Sequence, residues 1–231
     1  MTLFIVLGGL LILALVLASI AQRYHAYVEE RRRQIERILR RVDEVQEIVQ
    51  RLQGLAVPPE VLQLLQSDIL ARLEVVKQVH PRQPGIDDMI GKARSAQAGS
   101  EQGGVAPSAL NEADFERLMR GLGQVKWMLK EGRFLVSLTG EASGRMMQSI
   151  VFCQAESIYR FHRRETERRA KEGQLHQALW HCNQARQFLR DEAPDNESSR
   201  EWYREMDQRY REISAEISGH SSAPSEEPSS P

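Results

Sequence analysis

The sequence predicts an all-α protein that begins with a membrane anchor. An uncharged apolar stretch opens the chain at residues 2–21, and after it apolar residues recur at helical spacings of three and four. The strand signal is weak, because the short apolar run at 133–140 has no second strand to pair with. We expect a single N-terminal transmembrane helix that continues into a helical hairpin or coiled coil, followed by a linker and a small C-terminal helical bundle.

Residues 2–21 have the length and composition of a transmembrane helix. The stretch begins at Thr2, ends at Ala21, carries no charge, and contains thirteen Leu, Ile, Val or Phe residues. Twenty helical residues rise about 30 Å, which matches the hydrocarbon core of a bilayer. A cleaved signal peptide is the alternative, since residues 19–21 loosely resemble a cleavage site. An uncleaved anchor is favoured, because no Lys or Arg precedes the run and the run is long for a signal peptide.

The charges that follow predict the orientation of the anchor. Residues 22–41 carry seven Arg against three Glu, whereas the amino side offers only the terminus. By the positive-inside rule, the bulk of the chain is expected on the cytoplasmic side. These arginines either fix the topology alone, which we favour, or also contact anionic lipid. Nothing resembles organelle targeting, so a bacterial inner membrane is the preferred location.

A heptad pattern follows the anchor, and it leaves two arrangements open. The apolar positions of the heptad are Val28, Ile35, Ile38, Val42, Val45, Val49 and Leu52. Such a pattern is typical of a coiled coil, so a homo-oligomer through residues 28–52 is one reading. The other is a hairpin within residues 22–80, because a Pro-containing break at 54–60 precedes a second amphipathic helix that ends before Pro81. That second helix is shorter, so residues 24–33 are expected to lack a partner in the same chain.

The remainder divides by composition into a linker, a helical module and a tail. Residues 81–110 are rich in Gly, Ser, Pro and Ala and predict a flexible linker, with room for one short helix. Residues 111–217 predict a bundle, with a helix after the start signal at Asn111 and further helices at about 143–171, 174–191 and 199–217. The last of these is expected to open with a capping box at Ser198. Residues 218–231 have little to bury and predict a disordered tail.

Small residues in the bundle resemble a known repeat. The spacing of Gly173, Ala178 and Ala185 resembles the second helix of a tetratricopeptide repeat, a peptide-binding helical hairpin. The resemblance covers about fifteen residues of a single copy. It implies a helical hairpin at this point of the module, and a plain helical bundle is the favoured alternative.

The sequence contains no catalytic motif. Neither a P-loop, a G-x-G-x-x-G, a G-x-S-x-G nor an H-E-x-x-H is present. His176, His181 and Cys182 lie close in sequence, but a spacing of five puts the two histidines on different helix faces. We therefore predict no catalytic residues, no cofactor and no metal site. The net charge of −1 argues against nucleic acid as a partner, and two cysteines without metal-ligand spacing fit a reducing compartment.

These observations favour binding over catalysis. We expect a membrane-anchored helical adaptor or scaffold that recruits or positions a partner protein; the alternative is a structural accessory subunit of a larger membrane complex. The expected contact residues lie on one edge of the heptad and on a basic face after Tyr159. They are Arg31, Ile35, Ile38, Arg160, Arg163, Arg164, Arg168 and Arg169. Because acids interleave with the bases of that face, internal ion pairs are expected there as well.

Overall fold

The computed structural model describes residues 2–98 and 110–221, with side chains described over 18–98 and 110–219. These residues form seven α-helices and no β-strand, so the all-α class is confirmed. The helices are α1 (Thr2–Leu52), α2 (Pro59–Val79), α3 (Ile86–Ala98), α4 (Glu112–Lys130), α5 (Gly140–Lys171), α6 (Leu175–Asp191) and α7 (Glu197–Ser221).

The transmembrane character of the first helix stays a prediction. Over the side chains that the structure describes, none of the helices has an apolar stretch long enough to cross a bilayer. The predicted anchor spans residues 2–21, and the side chains of its residues 2–17 lie outside the described part, although their backbone belongs to α1.

Helices α1 and α2 form an antiparallel hairpin around the heptad. Gly54 turns the chain with a φ of +77°, and Pro59 occupies the first turn of α2, where its missing N–H costs no hydrogen bond. From Ile35 onward the heptad side chains are buried or partly buried in a core that includes Leu65 and Leu73 of α2. Of the two arrangements that the sequence left open, the structure therefore contains the hairpin.

Part of the predicted linker is a helix that packs on this hairpin. Helix α3 buries Ile86 and Ile90 in the same core as α2. Residues 86–98 are therefore not free of the fold, because two isoleucines one turn apart give even a short polar helix a face to bury. Residues 99–109 of the predicted linker lie outside the described residues.

Helix α4 joins the C-terminal module to the hairpin. Asn111 caps it by accepting a hydrogen bond from the backbone N–H of Asp114 at 2.8 Å, as its sequence predicts. Its apolar stripe, which includes Leu118 and Leu122, is buried in the hairpin core against α1. The core of the hairpin thus extends into the module that the sequence set apart from it, since the stripe of α4 requires a partner and α1 supplies one.

A second core holds α5, α6 and α7 together. It contains Ile158 of α5, Cys182, Ala185 and Leu189 of α6, and Met206 of α7. Helix α7 begins earlier than predicted, because Asn196 and not Ser198 caps it, accepting a hydrogen bond from the backbone N–H of Ser199 at 2.8 Å. The helix reaches Ser221, and residues 222–231 of the predicted tail lie outside the described residues.

The apolar run at 133–140 is a loop that a buried carboxylate holds in place. Asp68 of α2 is fully buried and accepts hydrogen bonds from Nε of Arg72 at 2.7 Å and from the backbone N–H of Leu135 at 2.5 Å. Arg72 in turn donates to the carbonyl of Arg133 at 2.7 Å. The loop is therefore fixed to α2 by a paired charge.

Candidate functional site

Residues 18–34 of α1, here called the neck, are exposed along their whole length. At 1.5 Å per residue the neck is about 26 Å long. Burial begins at Ile35, which is only 5% exposed. The sequence predicted this step, because α2 is too short to accompany α1 to its start. The neck thus joins the predicted anchor, with which it shares residues 18–21, to the part of the fold that other helices cover, which we call the body.

The neck carries a stripe of exposed apolar side chains. Seven large apolar side chains are exposed in the described part of the chain, and four of them are Ile20, Tyr24, Tyr27 and Val28. Their spacings of three and four residues place them on one face of the helix. Exposed apolar stripes are common at protein interfaces, and Tyr is common at membrane interfaces, so binding of a protein or of lipid headgroups by the neck is a hypothesis.

Ion pairs cover the other faces of the neck. Arg33 pairs with Glu29 at 3.7 Å, and Arg37 pairs with Glu30 at 2.8 Å. All four of these side chains are well exposed, so each pair contributes little to stability beyond support for the helix. Arg31 differs, because its guanidinium lies over the ring of Tyr27 at 5.0 Å from the centroid. It is the one predicted contact residue on the neck.

The other two predicted contact residues of α1 are covered by the hairpin. Ile35 is buried, and Ile38 is partly buried against the same core. Their heptad positions are those that α2 uses. The predicted contact edge is therefore divided at Ile35, with Arg31 open to solvent and the two isoleucines inside the fold.

The five predicted arginines lie along the C-terminal half of α5 and have partners within the chain. Arg160 pairs with Glu156 at 2.8 Å, and Arg168 pairs with Glu165. Arg169 contacts Glu172 at 3.6 Å and donates to the side chain of Gln174 at 2.6 Å. These three arginines pair with neighbours on α5 or at its end, as the interleaved acids of the sequence predicted.

Arg163 and Arg164 instead connect α5 to other segments. Arg163 pairs with Glu205 of α7 at 3.0 Å and donates to the hydroxyl oxygen of Tyr159 at 3.1 Å. Burial, and after it the hydrogen bond with Glu205, raises the pKa of Tyr159 to about 12. Arg164 donates to the carbonyl of Leu110 and lies over the ring of Phe161. These two arginines therefore have structural contacts that a partner would have to break.

Two histidines meet where α5 and α6 pack together. Nδ1 of His162 lies 3.0 Å from Nδ1 of His181, so one ring donates a hydrogen bond and the other accepts it. Burial, followed by the charge of His181, lowers the pKa of His162 to about 4. Burial also lowers the pKa of His181. Sequence reasoning missed this pair, because the residues are nineteen apart and lie on different helices.

The histidine pair lies among aromatic rings. Phe115 of α4 stacks on Phe161 with centroids 4.1 Å apart, and His162 contacts both rings by its edge. Trp180 lies beside His181 and is 56% exposed. In the described part of the chain no group of three His, Cys, Asp or Glu side chains is placed to hold a metal ion. The arrangement acts as a neutral hydrogen-bonded contact between helices.

A further exposed aromatic side chain lies where α1 meets α4. Trp127 is exposed, with the guanidinium of Arg133 at 5.4 Å and that of Arg41 at 6.0 Å from its ring centroid. Such cation–π contacts contribute about 0.5–1 kcal/mol each at exposed sites. They hold the ring at the surface without burying it.

Comparison with known proteins does not place the chain in a family. No protein-family model matches it, and neither a curated protein nor a solved structure does.

Proposed function

We propose that this chain is a membrane-anchored helical scaffold that recruits or positions a partner protein on the cytoplasmic face. In this proposal residues 2–21 span the membrane, residues 22–34 of the neck separate the body from the bilayer, and the body presents the partner surface. A scaffold of this kind carries out no reaction of its own.

The observation that carries the proposal is the continuity of α1. A single helix includes the apolar residues 2–21, the exposed neck and the segment that forms one side of the hairpin core. It has neither Gly nor Pro between residues 10 and 53, so no helix-breaking residue separates these parts. The part of the neck beyond the anchor, residues 22–34, is about 20 Å long. It contributes little to the stability of the body, but it suits a spacer between a membrane and a folded module.

The first experiment tests the anchor. The full chain is expressed in a bacterial host, and its membranes are washed with alkaline carbonate, which removes peripheral proteins. We expect the full chain to stay in the membrane and a variant lacking residues 2–21 to be released. Release of the full chain by the wash would contradict the anchor.

The second experiment tests recruitment. The tagged full chain is purified from its native membrane in mild detergent, and bound proteins are identified by mass. A scaffold should hold partners below equal stoichiometry, and these should be lost when charges on α5 are reversed. A fixed stoichiometric set of proteins would instead support the accessory-subunit alternative.

Charge reversal on α5 tests whether this helix forms the surface of the body that binds the partner. The ion pairs of Arg160 and Arg168 in the described part of the chain are with carboxylates on their own helix, Glu156 and Glu165, so an acidic partner can replace those carboxylates at little cost. The double variant R160E/R168E should lose the partner and stay folded. The matched control is R145E, because Arg145 has the same kind of pair with Glu141 at the other end of α5.

A further inference from the structure

The hairpin uses only part of the heptad. From Ile35 to Leu52 the heptad side chains are buried or partly buried inside the chain. A second copy therefore cannot pair along residues 28–52 without displacing α2. The same heptad register continues N-terminally through Val28 and Tyr24 to Ala21, and there the side chains are exposed.

We propose that the necks of two copies of this chain pair in parallel through the face formed by Ala21, Tyr24 and Val28. The parallel orientation rests on the proposed function, because two anchors in one membrane place both necks in the same direction. In a parallel pair each of these residues meets its own counterpart, as heptad core positions do in two-stranded coiled coils. Val28 would be a β-branched core residue of the kind that favours two strands.

The flanking positions of the neck complement one another across such a pair. Val28 occupies one of the two core positions of the heptad. In a parallel coiled coil, the residue just before this position faces, on the partner helix, the residue five places further along the sequence. This rule sets Tyr27 against Arg32 of the second copy, a ring against a guanidinium. Arg32 is well exposed in the single chain, where it pairs only with Glu36 at 3.0 Å.

Arg31 occupies the next core position and weakens the pair. Two guanidinium groups at one level repel each other, but Arg31 leans over Tyr27 at 5.0 Å and so is directed toward the edge of the interface. A polar residue at a single core position lowers the stability of a coiled coil and sets its register. Removing this charge should therefore strengthen the association.

The extent of the interface follows from the length of α2. Its 21 residues rise about 31 Å, which brings its C-terminal end to the level where burial of α1 begins at Ile35. Two copies that pair through their necks must therefore diverge beyond Arg31, each with its own hairpin. About two heptads remain for contact between the two copies. Because so short an interface is weak, dimerisation should require the high local concentration that anchoring in one membrane provides.

The experiment places single cysteines along the neck of the full chain in membranes and measures disulfide-linked dimer after mild oxidation. The variants are Tyr24→Cys, Val28→Cys and the control Ala26→Cys, which faces the opposite side of the neck. The unaltered chain reports the background, because Cys153 and Cys182 are both buried. We expect at least tenfold more dimer from positions 24 and 28 than from position 26. Equal yields at the three positions, or no dimer at any, would overturn the proposal.

A second variant tests the interface through an expected increase in dimer yield rather than a decrease. Arg31→Leu, combined with Tyr24→Cys, should raise the dimer yield at least threefold, whereas Ala26→Leu in the same background should leave it unchanged. An equal rise in both would indicate nonspecific adhesion and overturn the proposal. Carbonate washing of the same membranes distinguishes failure of this proposal from failure of the proposed function. A chain that stays in the membrane but forms no position-specific dimer would contradict only the pairing of the necks. A chain that is washed out would contradict the anchor.

Discussion

Gly121 of α4 lies so close to Leu52 of α1 that a Cβ at position 121 would be 2.5 Å from Cδ2 of Leu52 and 2.9 Å from its Cγ. Leu52 is fully buried and has little freedom to move away. The absence of a side chain at Gly121 is therefore what allows α4 to dock on the end of α1. This contact joins the hairpin to the C-terminal module.

Replacing Gly121 by alanine should destabilise the fold by about 1–3 kcal/mol, because overpacking of a filled core exceeds the gain in helix propensity. Gly123 is the matched control on the same helix, since nothing lies within 4 Å of a Cβ there. Its replacement by alanine should stabilise by about 0.5–1 kcal/mol. Urea unfolding of the full chain in detergent, followed by tryptophan fluorescence, measures both. Stabilisation by both substitutions would contradict the close contact.

Asp68→Ala should cost about 3 kcal/mol, because it leaves Arg72 and the N–H of Leu135 without their buried acceptor. The control is Glu74→Ala on the same helix, which removes an exposed pair with Arg94 and should change stability by less than about 0.5 kcal/mol. The free energy of unfolding measures the difference. Faster exchange of the Leu135 amide hydrogen in the Asp68 variant would show that the loop at 131–139 has been released; unchanged exchange would exclude this role.

Acid should weaken the contact between α5 and α6. The pKa of His162 is lowered to about 4 in the folded chain, from about 6.5 when unfolded, so between these values the unfolded chain binds more protons. The stabilisation is fully present above pH 6.5 and declines as the pH falls toward 4, by at most about 3 kcal/mol.

The measurement for this pair compares unfolding at pH 7 and pH 4.5. The unaltered chain should lose more stability than H162Q, because carboxylate titration is common to both and cancels. H176Q is the control, since His176 is an exposed histidine on α6 and should behave like the unaltered chain. Equal pH dependence in H162Q and the unaltered chain would rule out His162 as the source.

Both cysteines should be unreactive in the folded chain. Burial raises the pKa of Cys153 to about 11 and that of Cys182 to about 12, so neither forms much thiolate at pH 8. A thiol-reactive dye should label neither within minutes under native conditions and both after denaturation. Rapid labelling of one thiol in the folded chain would show that its helix opens.

Local signals in the sequence predicted most of the helices, whereas contacts between distant residues went unseen. Pro59 and Asn111 mark helix starts through their own backbone chemistry, so α2 and α4 begin where expected. The docking of α4 on α1 depends on the space left free by the missing side chain at Gly121, and no local pattern identifies the residue that this glycine meets. Packing at Gly121 depends on the residue that it meets, Leu52, which lies 69 residues away in the sequence.

In the candidate sites, too, the features that depend on local sequence were predicted and those that depend on distant contacts were not. The exposed neck followed from the unequal lengths of two helices, and the ion pairs of α5 followed from charges three and four residues apart. The burial of Ile35 and Ile38 depended on which of two packing partners the heptad takes, and periodicity alone does not distinguish them. The His162–His181 contact depends on how α5 meets α6, which no local pattern encodes.

The uninterrupted helix through the neck also fixes a rotational phase. Each residue of an α-helix turns the chain by about 100° and advances it by 1.5 Å. One residue inserted at position 26 would leave the body nearly as far from the start of α1 as before, but would turn it to face a different direction. Seven inserted residues make about two turns, so they would return the body to nearly its original direction and lengthen the neck by about 10 Å. The number of residues in the neck therefore determines which side of the body faces a neighbour, and its length is constrained in steps of whole turns.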